Sequence, residues 1–167
     1  MSIYLDHAAT SPLQQEALTA LINQLKEVGN PSSLHTFGRD TRKALEEARE
    51  KIAKFVSAAP SEIIFTSSGT ESNNLAIKGL FWKSNRKVIV VSAIEHHAVL
   101  DPAKWLAEKE GAEVIEIPVS NEGVIDLDFL NNLVANLGAE IALISVMHSN
   151  NETGALQPIS EVIKIAG

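Results

Sequence analysis

The sequence predicts an α/β fold, a mostly parallel or mixed β-sheet flanked by helices. Three observations point there. From residue 62 onward, short apolar runs of strand length alternate with longer runs of helical period. The apolar runs are continuous rather than alternating with polar residues, the pattern of strands covered on both faces. Polar and glycine-containing clusters follow directly after these runs, where ligands bind in sheets of this kind. There is no internal repeat, low-complexity tract or long linker.

Before residue 62 the reading is helical. Ser11 as N-cap and Pro12 at the first helical position open a run with Leu18, Leu21, Ile22, Leu25 and Val28 at helical spacing, ended by Gly29. A helix is predicted over 13–28. Gly29-Asn30-Pro31-Ser32-Ser33 is a loop by its turn chemistry. A second amphipathic helix is predicted over 39–56, with Leu45, Ala48, Ile52 and Phe55 on one face.

The strand and helix series then begins. Glu62-Ile63-Ile64-Phe65-Thr66 reads as a short strand, with Ile63 to Phe65 at its centre, and Ser67 to Glu71 as a turn into a helix reaching about Trp82. Val88 to Val91 is a buried type of strand. Glu95-His96-His97 leads into a helix through Leu106. Val114 to Ile117 is a strand, 127–137 a helix and Ile141 to Val146 a strand. That last strand ends in His148-Ser149-Asn150-Asn151-Glu152-Thr153-Gly154, and a further helix starts at Ser160.

Composition excludes several classes. Of 167 residues, 45% are apolar and 21% charged, as in a soluble globular domain, and no run approaches the roughly 18 apolar residues of a membrane span. The opening MSIYLDHAAT has no basic segment and carries Asp6 early, which predicts no signal peptide and a cytoplasmic location. Asn151-Glu152-Thr153 matches a glycosylation sequon that has no meaning without secretion. A net charge of −7 argues against nucleic acid or an anionic membrane as partner. The sequence contains no cysteine, which excludes disulfides, thiolate metal sites and a cysteine nucleophile within these residues.

Each polar cluster has a chemical and a bland reading. Ser67-Ser68-Gly69-Thr70-Glu71-Ser72-Asn73 joins a strand to a helix. Gly69 lets the backbone approach a ligand, and the amides of Thr70 and Glu71 would point from the helix N-terminus, a site for a phosphate. A capping box with Ser68 as N-cap and Glu71 three residues on is the bland reading, and the two are compatible. Neither GxxxxGK[ST] nor a GxGxxG after a strand is present, which disfavours ATP, a dinucleotide and an ordinary nucleotide-binding domain. His96 can present its ring to a planar ligand or move a proton; the bland alternative is a histidine satisfied by the backbone at a helix start. His96 and His97 point about 100° apart on a helix, and no HExxH occurs, so no metal site is expected. Asn150-Asn151 could read a ligand oxygen or could be a polar turn.

Together, Tyr4-Leu5-Asp6-His7-Ala8-Ala9-Thr10, Gly29-Asn30-Pro31-Ser32-Ser33-Leu34-His35, Phe65 to Asn74, Glu95-His96-His97-Ala98-Val99-Leu100 and Asn150-Asn151-Glu152-Thr153-Gly154 resemble, in this order, the successive motifs of the cysteine desulfurases. These are enzymes of the class V aminotransferase group, of fold type I, that use pyridoxal 5'-phosphate (PLP). The resemblance runs from Ile3 to the end of the chain. It implies removal of sulfur from L-cysteine, giving L-alanine and a persulfide on an enzyme cysteine, for iron–sulfur cluster or thio-cofactor synthesis. It implies that Gly69 and Thr70 bind the PLP phosphate, that His96 stacks on the ring and assists protonation as the catalytic residue, and that Asn151 binds the ring oxygen. Ala8, Ala9 and Thr10 would lie near the substrate, and Asn30 and His35 near the active-site entrance. Residues 1–12 would form an arm near the active site, and 13–167 the N-terminal part of the PLP-binding large domain. The partners implied are a second copy of the chain or a complementary C-terminal chain, and a sulfur-acceptor protein.

The family pattern continues with an aspartate on the pyridine nitrogen, a glutamine on the ring oxygen, a Ser-x-His-Lys segment whose lysine holds the cofactor, and the persulfide cysteine. None is present, and none of the ten lysines follows such a segment. The expectation is therefore a truncation or one piece of a split enzyme, inactive alone. The competing functions are a selenocysteine lyase or aminotransferase on the same scaffold, and a non-catalytic module for partner binding.

Overall fold

The computed structural model describes residues 3–167 and divides the chain into two compact units, one reaching to Phe65 and the other running from Thr66 to Gly167. The sequence-based boundary after residue 12 lies within the first unit.

The first unit is helical. Helix α1 spans Gln15–Leu25 and helix α2 spans Thr36–Phe55, followed by a short 3₁₀ turn at Pro60–Glu62. Helix α1 is shorter at both ends than the predicted 13–28. Ser11 does not cap it, because its hydroxyl donates to the carbonyl of His7 at 3.3 Å and lies 3.2 Å from the His7 ring. Gln14 holds the N-cap position in extended backbone with no side-chain cap. The C-terminal end tightens through bonds from Lys26 to Asn23 and from Glu27 to Gln24, each 3.2 Å, before Gly29 is reached. Gly29 has a packing role instead: a Cβ there would sit 2.1 Å from Thr41 Oγ1 and 2.4 Å from the Phe37 carbonyl oxygen.

Helix α2 begins three residues before the predicted start, because His35 caps it by accepting the Gly38 amide at Nδ1, 3.3 Å away.

The predicted strand at Ile63 to Phe65 is not formed. Ile63 is extended (φ −95°, ψ 122°), but the segment has no ladder partner among the described residues. It is tied within its own unit, where the Arg49 guanidinium donates to the Ile63 carbonyl and lies 4.8 Å from the centre of the Phe65 ring. The β-branched and aromatic residues specify extended backbone, but a strand also needs a neighbour.

The second unit alternates helix and strand: α3 (Gly69–Lys83), β1 (Val88–Ser92), α4 (His97–Glu110), β2 (Glu113–Ile117), α5 (Leu127–Leu137), β3 (Ile141–Ser145) and α6 (Ile159–Ala166). The three strands form a parallel sheet in the order β2-β1-β3. The central β1 is buried along its whole length, which is why its sequence is uniformly apolar up to Ser92. Its side chains alternate between two cores. Ile89 and Val91 pack with Ile77 and Phe81 of α3 and with Val99, Ala103 and Leu106 of α4. Val88 and Val90 pack with their sheet neighbours Ile117 and Ile141 and with Leu130 of α5 and Val162 of α6. Each fully buried Leu or Ile contributes about 1.5–3 kcal/mol, so Ile89, Leu106, Ile117 and Leu130 anchor a helix–sheet–helix sandwich. Between α3 and α4, the Lys78 ammonium lies 4.4 Å from the centre of a Trp105 ring.

This topology sets the position of the polar clusters. A four-residue connection joins α3 to β1, so α3 runs antiparallel to the strand and its N-terminus lies at the carboxyl edge of the sheet. Helix α4 starts just beyond β1, and residues 146–154 follow β3. All three meet that same edge.

Candidate active site at the carboxyl edge of the sheet

At the start of α3 the cap and the free amides coexist. Ser68, in extended backbone, accepts the Glu71 amide on its hydroxyl at 3.3 Å. The Glu71 carboxylate reaches back to the Ser67 amide and hydroxyl, both at 2.6 Å. These two bonds, the hydroxyl's first, hold the Glu71 carboxyl below its ordinary pKa. The Glu71 amide is therefore occupied, contrary to the sequence-based expectation. At the first two positions of the helix, the amides of Gly69 and Thr70 have no partner among the described residues. A Cβ on Gly69 would meet nothing within 4 Å, so the side-chain direction of this residue is open, and the free amides lie at the positive end of the helix dipole.

His96 is the N-cap of α4 and is exposed. Its Nδ1 accepts the Ala98 amide at 2.9 Å and its carbonyl accepts the Val99 amide at 2.8 Å. A nitrogen that accepts a hydrogen bond carries a lone pair, so the neutral ring has its proton on Nε2. The ring is thus both fixed by the backbone, as the bland reading holds, and presented to solvent through Nε2.

The loop after β3 is built by Asn150. Its Oδ1 accepts the amides of Glu152 and Thr153, both at 2.9 Å, and the Thr153 hydroxyl at 3.2 Å. Gly154 closes the turn at φ +75°, donating to the Asn150 carbonyl. Asn151 stands exposed on this turn, and its side chain makes no hydrogen bond among the described residues.

Glu95, to which sequence reasoning had assigned no role, and Asn150, read there as a ligand contact or a turn residue, join the loops. Glu95, 8% exposed, accepts the Met147 amide at 2.5 Å. Asn150 donates from Nδ2 to the Ile94 carbonyl at 3.0 Å. Burial pushes the Glu95 carboxyl up, partly offset by the Met147 amide and by His96. The only sequence signal was their position inside the Glu95-His96 and Asn150-Asn151 motifs; the pairing spans more than fifty residues.

Gly69, Thr70, His96 and Asn151 share an open edge. Concavities of about 220–430 Å³ on the chain are lined by other residues, such as those of the Pro118–Asp126 loop. Ala9, Thr10, Asn30 and His35 belong to the other unit. Ala9 lies in a turn closed by the Thr10 amide on the Asp6 carbonyl and by the Tyr4 hydroxyl on the Asp6 and Thr10 carbonyls. Asn30 Oδ1 accepts the Ser32 amide, and His35 caps α2. No group of three or more acidic, histidine or cysteine side chains that could hold a metal occurs among the described residues.

Residues 3–167 match the family model described as aminotransferase class-V. The chain belongs to this family. It is 53% identical over 98% of its length to a cysteine desulfurase IscS of Dictyoglomus turgidum, and spans 41% of that relative. Among solved structures, a NifS-like protein superimposes with a TM-score of 0.92 at 37% identity, over 99% of this chain and 45% of that one. A structure described as SspA in complex with cysteine gives 0.88 at 34% identity, over 99% of this chain and 47% of that one. The chain thus spans less than half the length of these relatives. Class-V aminotransferases and cysteine desulfurases are PLP enzymes. The donors on the carboxyl edge fit that cofactor. Two free amides and the Thr70 hydroxyl at a helix N-terminus suit a phosphate, an exposed imidazole suits a pyridine ring, and a free carboxamide suits a phenolic oxygen.

Proposed function

We propose that this chain is the N-terminal part of the PLP-binding domain of a cysteine desulfurase, with L-cysteine as the substrate of the whole protein. The observation that carries the reading is the meeting of two uncommitted amides, His96 and Asn151 on one edge of a parallel sheet, in a chain 53% identical to a named cysteine desulfurase. The cysteine-bound relative supports the substrate.

In this reading the amides of Gly69 and Thr70 take the phosphate and use the helix dipole. His96 stacks on the ring, and its exchangeable proton sits on Nε2, because Nδ1 is held by Ala98. Asn151 donates its side-chain amide to the ring oxygen. When bound, PLP supplies an electron-withdrawing ring that stabilises negative charge on the substrate carbon. Ala8 to Thr10, Asn30 and His35 serve the substrate entrance, and residues 1–12 act as an arm. The whole protein releases L-alanine and leaves sulfur as a persulfide for an acceptor protein in iron–sulfur or thio-cofactor synthesis. It works in the cytoplasm as a homodimer or with a complementary C-terminal chain. No helix among the described residues is long and apolar enough to cross a membrane.

The test is a titration of the chain with PLP and with pyridoxal, followed by amide and imidazole NMR. PLP should shift Gly69, Thr70, His96 and Asn151 together, and pyridoxal should leave Gly69 and Thr70 unmoved. Shifts confined to surface lysines would overturn the reading.

A further inference from the structure

We propose that Glu95 and Asn150 form a reciprocal clasp that holds the loop after β1 and the loop after β3 as one unit, making Glu95 a positioning residue for both His96 and Asn151. The role toward a ligand rests on the function proposed above; the clasp itself rests on geometry alone.

The β1–β3 ladder ends at the pair Val91 and Ser145. Beyond it no backbone hydrogen bond joins the two loops among the described residues. In its place each loop sends one side chain to the backbone of the other. Glu95 accepts the Met147 amide, and Asn150 donates to the Ile94 carbonyl. Asn150 Nδ2 also lies 3.4 Å from Met147 Sδ, within the same junction.

The clasp acts on the displayed residues through short covalent paths. Glu95 precedes His96, whose ring is fixed in turn by Ala98. Asn150 precedes Asn151 and holds the turn through three bonds to its Oδ1. Glu95 is buried while His96 and Asn151 are exposed, so the junction's buried residue stands behind the two that the edge displays. A carboxyl held away from water is a costly way to stabilise a fold. Its value here is geometric, as an acceptor aimed across the sheet edge.

The experiment compares Glu95→Ala, Glu95→Gln and Asn150→Ala in the 167-residue chain by amide hydrogen exchange, with PLP titration of each. Glu95→Ala should speed exchange at Met147 and at Glu152 to Gly154 by about three- to tenfold, the factor one hydrogen bond is worth, while Ile89 to Val91 stay protected. Glu95→Gln keeps an acceptor oxygen and should restore the original rates. Asn150→Ala should send the disturbance the other way, to Ile94 and Ala98. PLP affinity should fall with Glu95→Ala and return with Glu95→Gln. Should Glu95→Ala fail to fold, the other two variants carry the same comparison. Unchanged exchange over 147–154 in Glu95→Ala, no rescue by Glu95→Gln, or no effect of Asn150→Ala across the junction would overturn the clasp. If the unmodified chain binds no PLP while the exchange pattern holds, the clasp stands and the cofactor reading falls.

Discussion

The amide of Ala98 donates to Nδ1 of His96 at 2.9 Å, and this one bond determines which nitrogen of an exposed imidazole faces outward with a proton. The neutral ring should be the Nε2–H tautomer. Nitrogen-15 shifts of the ring at a pH where it is neutral will check this. Nδ1 should resonate as an unprotonated nitrogen and Nε2 as a protonated one. An inverted assignment would mean that the α4 cap is not made by His96.

The Ser68 cap gives a second expectation. Its hydroxyl accepts the Glu71 amide, while Gly69 and Thr70 keep theirs free. Ser68→Ala should cost about 1 kcal/mol of stability in urea unfolding. No loss would show that the Glu71 bonds to Ser67 suffice to start α3.

Two glycines should respond differently to alanine. At Gly38 a Cβ would lie 2.4 Å from the Ser33 carbonyl oxygen and 2.8 Å from that of Asn30, so Gly38→Ala should destabilise by about 1–3 kcal/mol. At Gly69 a Cβ meets open space and the backbone is helical, so Gly69→Ala should be neutral or stabilising, by up to about 1 kcal/mol. Thermal unfolding of both variants decides it. A destabilising Gly69→Ala would point to a conformation at the α3 start other than the helical one.

What was legible in the sequence is what local pattern determines. Helix α5 falls on the predicted 127–137, and β1 and β3 on their apolar runs, because burial on both sides leaves a continuous signature. The Ser68 and Glu71 pairing was legible because a cap is made within one turn of chain. Ile63 to Phe65 misled because extended propensity says nothing about a partner strand. Ser11 misled because its hydroxyl had a nearer use on His7. His35 was read as lying near an active-site entrance, and the structure adds that its ring nitrogen closes the start of α2, a local role the motif did not announce. Glu95 and Asn150 stood in view inside their motifs, but bonds between residues more than fifty positions apart leave no local pattern to read.

Glu95 also carries a pH expectation. Burial raises its carboxyl above the ordinary value of 4.5, so the folded state binds the proton more tightly than the unfolded chain does. Its favourable contribution is therefore complete below the unfolded value and is lost as pH rises through the folded one. Glu95→Gln cannot ionise and keeps the acceptor. Its stability relative to the original chain should improve as pH rises from about 4 and then level off once Glu95 is charged in both states. Urea midpoints of both proteins across that range will show it. A gap that does not change with pH would mean that the Glu95 carboxyl is not penalised by burial.

The last expectation concerns turnover by these 167 residues alone. Desulfuration that leaves sulfur on the enzyme needs a thiol, and the sequence has no cysteine. It also needs a lysine placed to hold the cofactor. None of the ten lysines lies on the segments that meet at the carboxyl edge, residues 67–72, 93–97 and 146–154. On the proposed reading, PLP held by the Gly69 and Thr70 amides, His96 and Asn151 would have no covalent link, whose loss hydrogen bonds and stacking do not replace. The purified chain with PLP and L-cysteine should show weak, reversible PLP binding, alanine release no faster than PLP alone gives, and no protein-bound persulfide by mass spectrometry. Addition of a second polypeptide carrying the lysine and the cysteine should raise alanine release well above that background. Persulfide-dependent turnover by the 167 residues alone would refute the expectation, because no residue in the sequence could carry the sulfur as a thiol.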